Sequence, residues 1–110
     1  LSDRKFKENI ITIGSGLDKI LQLRGVEFDW KGDYKHKGHD IGFIAQEVET
    51  VDGLDSIVKE VDGWEEGDKI KTVSYDKVIP LLVEAVKEQQ KQRDEMEDRI
   101  AELEKKYEVL

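Results

Sequence analysis

Residues 79–110 read IPLLVEAVKEQQKQRDEMEDRIAELEKKYEVL. In this stretch Ile79, Leu82, Val86, Gln89, Arg93, Met96, Ile100, Leu103, Tyr107 and Leu110 fall at alternating spacings of three and four. That is a heptad seam with Ile79 at position a and Leu82 at d, and no residue breaks the register. Pro80 stands near the helix start, where its missing amide costs least. The stretch is therefore read as a helical rod of about 48 Å whose seam is an oligomerisation face. Glu97 and Glu104 at e face Arg99 and Lys106 at g, and Arg99 can reach Glu104 of a parallel neighbour, which favours parallel self-association. Gln89 and Arg93 interrupt the seam, weakening it while helping to fix register and oligomer state. The competing reading is a single amphipathic helix lying on the rest of the chain. Apolar seam positions beyond Arg93 and a thin apolar complement upstream favour the coiled coil.

The chain has 110 residues, of which 37% are hydrophobic and 40% charged, with a formal net charge of -8. One domain is expected, with a core too small to close comfortably alone. The acidic balance argues against a sequence-independent nucleic-acid binder, which needs clustered Lys and Arg. Acids and bases are interspersed, so the excess reads as solubility. Without cysteine there is no disulfide or thiolate-metal framework. No apolar run approaches the ~20 residues of a membrane span, so no membrane partner is expected. The absence of an initiator Met suggests an excised piece of a longer polypeptide, with an upstream segment as partner.

Upstream of residue 77 the pattern is a small α+β head. Ser15, with Asp18 three residues on, reads as the N-cap of a short helix over about 16–24, and Gly25 as its left-handed stop. Gly14-Ser15-Gly16 lacks the rest of a phosphate-binding fingerprint, so a turn is expected there and no cofactor. Val26-Glu27-Phe28-Asp29-Trp30 alternates as a strand with Val26, Phe28 and Trp30 on its buried face. The polar segment 31–40 carries His36 and His39 beside Asp40; flanking lysines oppose a cation, and a solvated loop without metal is expected. Asp40 to Ile44 reads as a buried strand and Ala45 to Val51 as a short helix, with Gln46 either bonding exposed backbone or simply solvated. Ile57–Val61 and Lys69–Tyr75 read as a hairpin with a long tip. Trp64, at that tip, is either a contact anchor or folded back on the hairpin.

At the other end, Leu1-Ser2-Asp3-Arg4-Lys5-Phe6-Lys7 places a hydroxyl and an amine five residues apart. A nearby neutral lysine can take the proton that makes serine a nucleophile. On an α-helix five residues turn through about 500°, leaving the side chains roughly 140° apart, so such a pair needs a bend or extended chain. By itself the spacing is equally that of a frayed polar terminus.

Three motifs, in order, resemble the C-terminal intramolecular chaperone domain of phage tailspikes and tail fibres, the endosialidase type. They are Ser2-Asp3-Arg4-Lys5-Phe6-Lys7-Glu8-Asn9-Ile10; Gly42-Phe43-Ile44-Ala45-Gln46-Glu47-Val48; and Val73-Ser74-Tyr75 running into Leu81-Leu82-Val83-Glu84-Ala85-Val86-Lys87-Glu88. Relative to the usual Ser-Asp-x-Arg-Leu-Lys, Lys5 and Phe6 depart conservatively.

The resemblance implies one chaperone domain over 1–110, an α+β head over 1–76 and a coiled-coil helix over 77–110, assembling as a homotrimer. It implies that the domain trimerises and registers an upstream fibre or spike of the same polypeptide, with the 31–40 loop as a projection gripping it. The implied second activity is self-cleavage between Leu1 and Ser2 by a serine endopeptidase dyad of Ser2 and Lys7. Such a protein would work in the host cytoplasm during phage assembly and leave the virion fibre after cleavage. A lysine with the ordinary pKa of about 10.4 is only ~0.04% neutral at pH 7, so burial on assembly is the expected switch. Two alternatives stand beside it: a non-cleaving trimerisation cap, and the auto-processing domain of a membrane-tethered transcription factor of the myelin regulatory factor type. The last needs a membrane span after the coil, and none is present before Leu110.

Overall fold

Short apolar clusters separated by turn residues give this chain short elements, and only the last stretch sustains a long one. The computed structural model describes residues 1–32 and 36–108. A 3-10 turn, Arg4–Phe6, precedes α1 (Gly16–Leu21), β1 (Val26–Asp29), β2 (His39–Gly42), α2 (Ala45–Val48), β3 (Val58–Asp62), β4 (Lys69–Val73) and α3 (Val78–Tyr107). The α+β class expected from the sequence, with short helices, hairpin strands and a long C-terminal helix, is the observed one. The strands make two separate antiparallel hairpins, β1 with β2 and β3 with β4. In the first, Val26 pairs with Gly42 and Asp29 with His39; in the second, Val58 pairs with Val73 and Asp62 with Lys69.

The core is small and lies where α2, the turns after it, and the start of α3 converge. Val48, Val51, Leu54, Ile57, Val78 and Leu81 form it, with Ile13, Ile20, Leu23, Phe43, Val58 and Val73 packed around them. α1 crosses α3 in close backbone contact, since a Cβ on Gly16 would lie 3.2 Å from Ala85 N and Leu81 O. Any larger residue at 16 would separate the two helices.

α3 has 30 residues, about 45 Å, and draws the molecule out to 75 × 40 × 21 Å. Its first turns bury Val78, Leu81 and Ala85, whereas every described residue from 89 onward is exposed. Pro80 sits in the first turn of α3, where no intrahelical amide partner is lost.

Three local expectations are corrected. Ser15 has φ 56° and ψ 35° and its side chain caps nothing; instead Glu88 of α3 accepts from Gly16 N at 2.8 Å and Leu17 N at 3.3 Å. α1 ends at Leu21, three residues short of the expected 24, in a tightened turn with Gln22 N donating to Lys19 O and Leu23 N to Ile20 O. Gly25 is not left-handed; a helix already closed by Gln22 needs no such stop. Asp40 to Ile44 is not a buried strand: β2 stops at Gly42, and Ile41 is 71% exposed. A two-stranded hairpin has no second layer to cover that face. The alternation in β1 is as expected, with Val26 and Phe28 turned inward, and Trp30 half-buried just beyond.

Candidate functional site

Asp3 organises the N-terminal segment. Its carboxylate accepts from Lys5 N at 3.0 Å, its carbonyl accepts from Phe6 N at 3.1 Å, and Lys7 N donates to Arg4 O at 3.0 Å. This 3-10 turn bends the chain between Ser2 and Lys7, and Lys7 leaves it in extended conformation at φ -129°, ψ 143°. Residues 1–12 are all exposed. Leu1 and Ser2 are open to solvent, and among the described residues no hydrogen bond joins Ser2 Oγ to Lys7 Nζ. Lys5 Nζ lies 5.3 Å from the Phe6 ring centre, a cation over an aromatic face. Asn9 takes a left-handed φ of 54° before the chain runs to Ile13.

From Ile13 onward the segment is anchored. Ile13 touches the core, and α1 is tied to α3 by the Glu88 carboxylate described above. The capping anion stabilises α1 by satisfying two orphan amides and by facing the positive end of the helix. Sequence reasoning missed Glu88 in this role; the signal was its place in the motif ending Lys87-Glu88, with nothing local to say which amides it meets.

The heptad residues of α3 form the second candidate site. Ile79, Leu82, Val86, Met96, Ile100, Leu103 and Tyr107 are all exposed in the single chain, as are Gln89 and Arg93. The residues that α3 buries, Val78, Leu81 and Ala85, lie on a different stripe, so packing on the core leaves the seam uncovered. Arg93 pairs along the helix with Glu97 at 3.5 Å, and Arg99 with Glu102 at 3.7 Å. Leu110, the last seam position, lies outside the described residues.

Tyr75, in the 3-10 turn Tyr75–Lys77, joins α3 to the first hairpin. Its Oη accepts from Phe43 N at 2.9 Å, and its ring stacks on Phe43 with centres 5.6 Å apart. Gly42 makes room for this, because a Cβ there would stand 2.5 Å from Tyr75 Oη. Gln46, one turn along, is exposed and without a printed role in that junction.

The histidines of the 31–40 segment divide between two tasks, and Asp33, Tyr34 and Lys35 of the expected projection lie outside the described residues. The His36 ring lies 4.7 Å from that of Trp30. His39 sits opposite Asp29 and contacts it through Nδ1 at 2.8 Å, with Glu27 against Nε2 at 3.1 Å. Those hydrogen bonds, Asp29 first, raise the His39 pKa above the ordinary histidine value. Asp40 is held below the usual carboxylate range by the Ile41 amide and by the Trp30 indole N–H at 3.1 Å. Trp64 is 73% exposed at the β3–β4 tip and borders a cleft with Trp30, His36 and Ile70. Among the described residues no group of three or more His, Cys, Asp or Glu is placed to hold a metal ion. Nor is any helix of the described residues long and apolar enough to cross a membrane.

Fold and surface together define a class: a small α+β unit with little core, ending in a long helix whose apolar seam is uncovered. The chain belongs to the family described as the chaperone of endosialidase, a peptidase family by classification, whose model matches residues 2–61. It is also similar to the long tail fiber protein Gp37 of Enterobacteria phage K3, 36% identical over 102 residues, 90% of this chain and 8% of that protein. The corresponding protein of Enterobacteria phage T2 is 36% identical over 102 residues, again 90% of this chain and 7% of its own length. The chain thus spans less than a tenth of these relatives.

Proposed function

We propose that this chain is an intramolecular chaperone that assembles as a trimer, registers an upstream phage tail fibre or spike of the same polypeptide, and then cuts itself away before Ser2. The observation that carries the reading is the uncovered heptad seam of α3 in a chain of this family. The long tail fibre relatives support a fibre as the upstream client and the infected host cell as the place of assembly. In this reading residues 1–76 are the head and 77–110 the clamp.

Joining three chains at one end raises their local concentration and offsets the entropic cost of pairing distant β segments. Cleavage follows from the other end. Ser2 Oγ attacks the Leu1 carbonyl, Lys7 takes the hydroxyl proton, and the peptide becomes an ester as the Ser2 amine leaves with a proton returned by Lys7. Water then hydrolyses the ester and frees the chaperone.

The single chain leaves Ser2 and Lys7 exposed and unpaired with each other, which supports a dyad that is completed and desolvated only on assembly. Burial favours the neutral amine that a general base requires. The test is a mass spectrum of the chain expressed with its native upstream segment, beside Ser2→Ala and Lys7→Ala versions. A fragment beginning at Ser2 from the native chain, none from Ser2→Ala, and cleavage slowed about 100-fold or more in Lys7→Ala is expected. An uncut native chain under conditions where the oligomer forms would leave a structural trimerisation cap. Cleavage of Lys7→Ala at the native rate would remove Lys7 from the mechanism.

A further inference from the structure

We infer that the self-association surface does not stop at the coiled helix but continues onto the first hairpin, where a second copy of this chain covers the open apolar face around Ile41 and Tyr75. The inference rests on the proposed parallel self-association through α3 and adds a surface to it. Tyr75 lies seven residues before Leu82, so it occupies the d position one heptad earlier. The apolar line therefore runs Tyr75, Ile79, Leu82, crossing from the 3-10 turn into the helix without a gap. Tyr75 is 51% exposed, Ile79 62% and Leu82 44%.

Tyr75 is also fixed to the hairpin by its ring and hydroxyl, both held at Phe43. On either side of this ring pair lies an open, mainly apolar trough. Ile41, Phe43 and Tyr75 line both. Ile44 extends the first trough, and Ile41 projects from the strand between them. Apolar residues exposed singly are ordinary on a protein surface. These are contiguous with one another and in line with a seam, the arrangement that marks an interaction surface.

The heptad register names the occupant. In a parallel, in-register coil equivalent residues of each strand stand at the same height. A layer at Tyr75 therefore brings the Tyr75–Phe43 pair of one copy against the Ile41 edge of the next. The seam and the hairpin face are then one continuous interface, and the thin core of the single chain is completed by its neighbours.

The experiment is sedimentation equilibrium on the full chain, native and Ile41→Asp, with circular dichroism to verify equal helix content. Ile41 is mostly exposed and outside the core, so the aspartate leaves the single chain folded; its charge would be buried only in the assembly. The expected result is a native oligomer whose dissociation constant rises at least about tenfold in Ile41→Asp. A native oligomer with Ile41→Asp dissociating within about twofold of it overturns this surface and leaves association through α3 intact. A native chain that stays monomeric at every concentration overturns both. Should helix content fall in Ile41→Asp, Ile41→Lys and Ile41→Ser are measured against the same criterion. If those also fail to fold, Ile41 supports the single chain itself and the inference is overturned.

Discussion

Replacing Glu88 by alanine removes one carboxylate from α3 and thereby uncaps a helix more than seventy residues away in sequence. The contact consists of a 2.8 Å hydrogen bond from Gly16 N and a 3.3 Å one from Leu17 N, both partly buried. Hydrogen bonds to a charged acceptor contribute about 1.5–3 kcal/mol when well made, and caps about 0.5–2 kcal/mol. One bond here is short and the other long, and water reaches part of the site. A loss of about 1.5–2 kcal/mol is therefore expected, a shift in the folding equilibrium of roughly ten- to thirtyfold. For a chain of this size that lowers the melting temperature by about 6–15 °C. Urea unfolding of native and Glu88→Ala chains at equal concentration measures it, since association would otherwise shift the apparent stability. Hydrogen exchange at the Gly16 and Leu17 amides localises it. A change below about 0.5 kcal/mol, or unaltered protection at Leu17, would refute the assignment of Glu88 as the cap of α1.

Three further outcomes are expected. His39 should titrate with a midpoint above the ordinary value of about 6.5, because two carboxylates accept from both its ring nitrogens only when the ring is protonated. With the folded value raised, its contribution to the β1–β2 hairpin is complete below the unfolded pKa and lost as pH rises through the folded one; an NMR midpoint at or below 6.5 would count against it. Val48→Ala, at a side chain only 2% exposed, should cost about 2 kcal/mol in urea unfolding, and a near-neutral result would mean the core is not centred there. Gly42→Ala should push the Tyr75 ring aside and destabilise by about 1–3 kcal/mol, with loss of Phe43 amide protection; retained protection would show that the ring is not bound where Gly42 leaves space.

Periodicity was the dependable part of the sequence. The 3.5-residue repeat announced α3, and the alternation of Val26, Phe28 and Trp30 announced a one-sided strand, because both follow from how side chains project. Contacts between distant residues were illegible. Ser15 carries the right side chain for a cap, but Glu88 competes for the same amides from another helix, and no local pattern records that. Asp40 to Ile44 is apolar enough to be buried, yet burial depends on a second layer that this small fold does not supply to Ile41. Of the candidate site, the residue types at Ser2 and Lys7 and the bend between them belong to the heptapeptide and the Asp3 turn. Their alignment does not, since the single chain offers no wall against that segment.

The link between Glu88 and α1 also sets an order in time. A ribosome delivers this chain from its N-terminus, and residues 13–21 emerge long before residues 81–88 that hold them. At about 5–20 residues per second, α1 waits several seconds without its cap or its backbone neighbour, and the segment bearing Ser2 waits with it. The residues near the proposed cut are thus settled only after nearly the whole polypeptide has been made, so an unfinished chain lacks the scaffold for cutting itself.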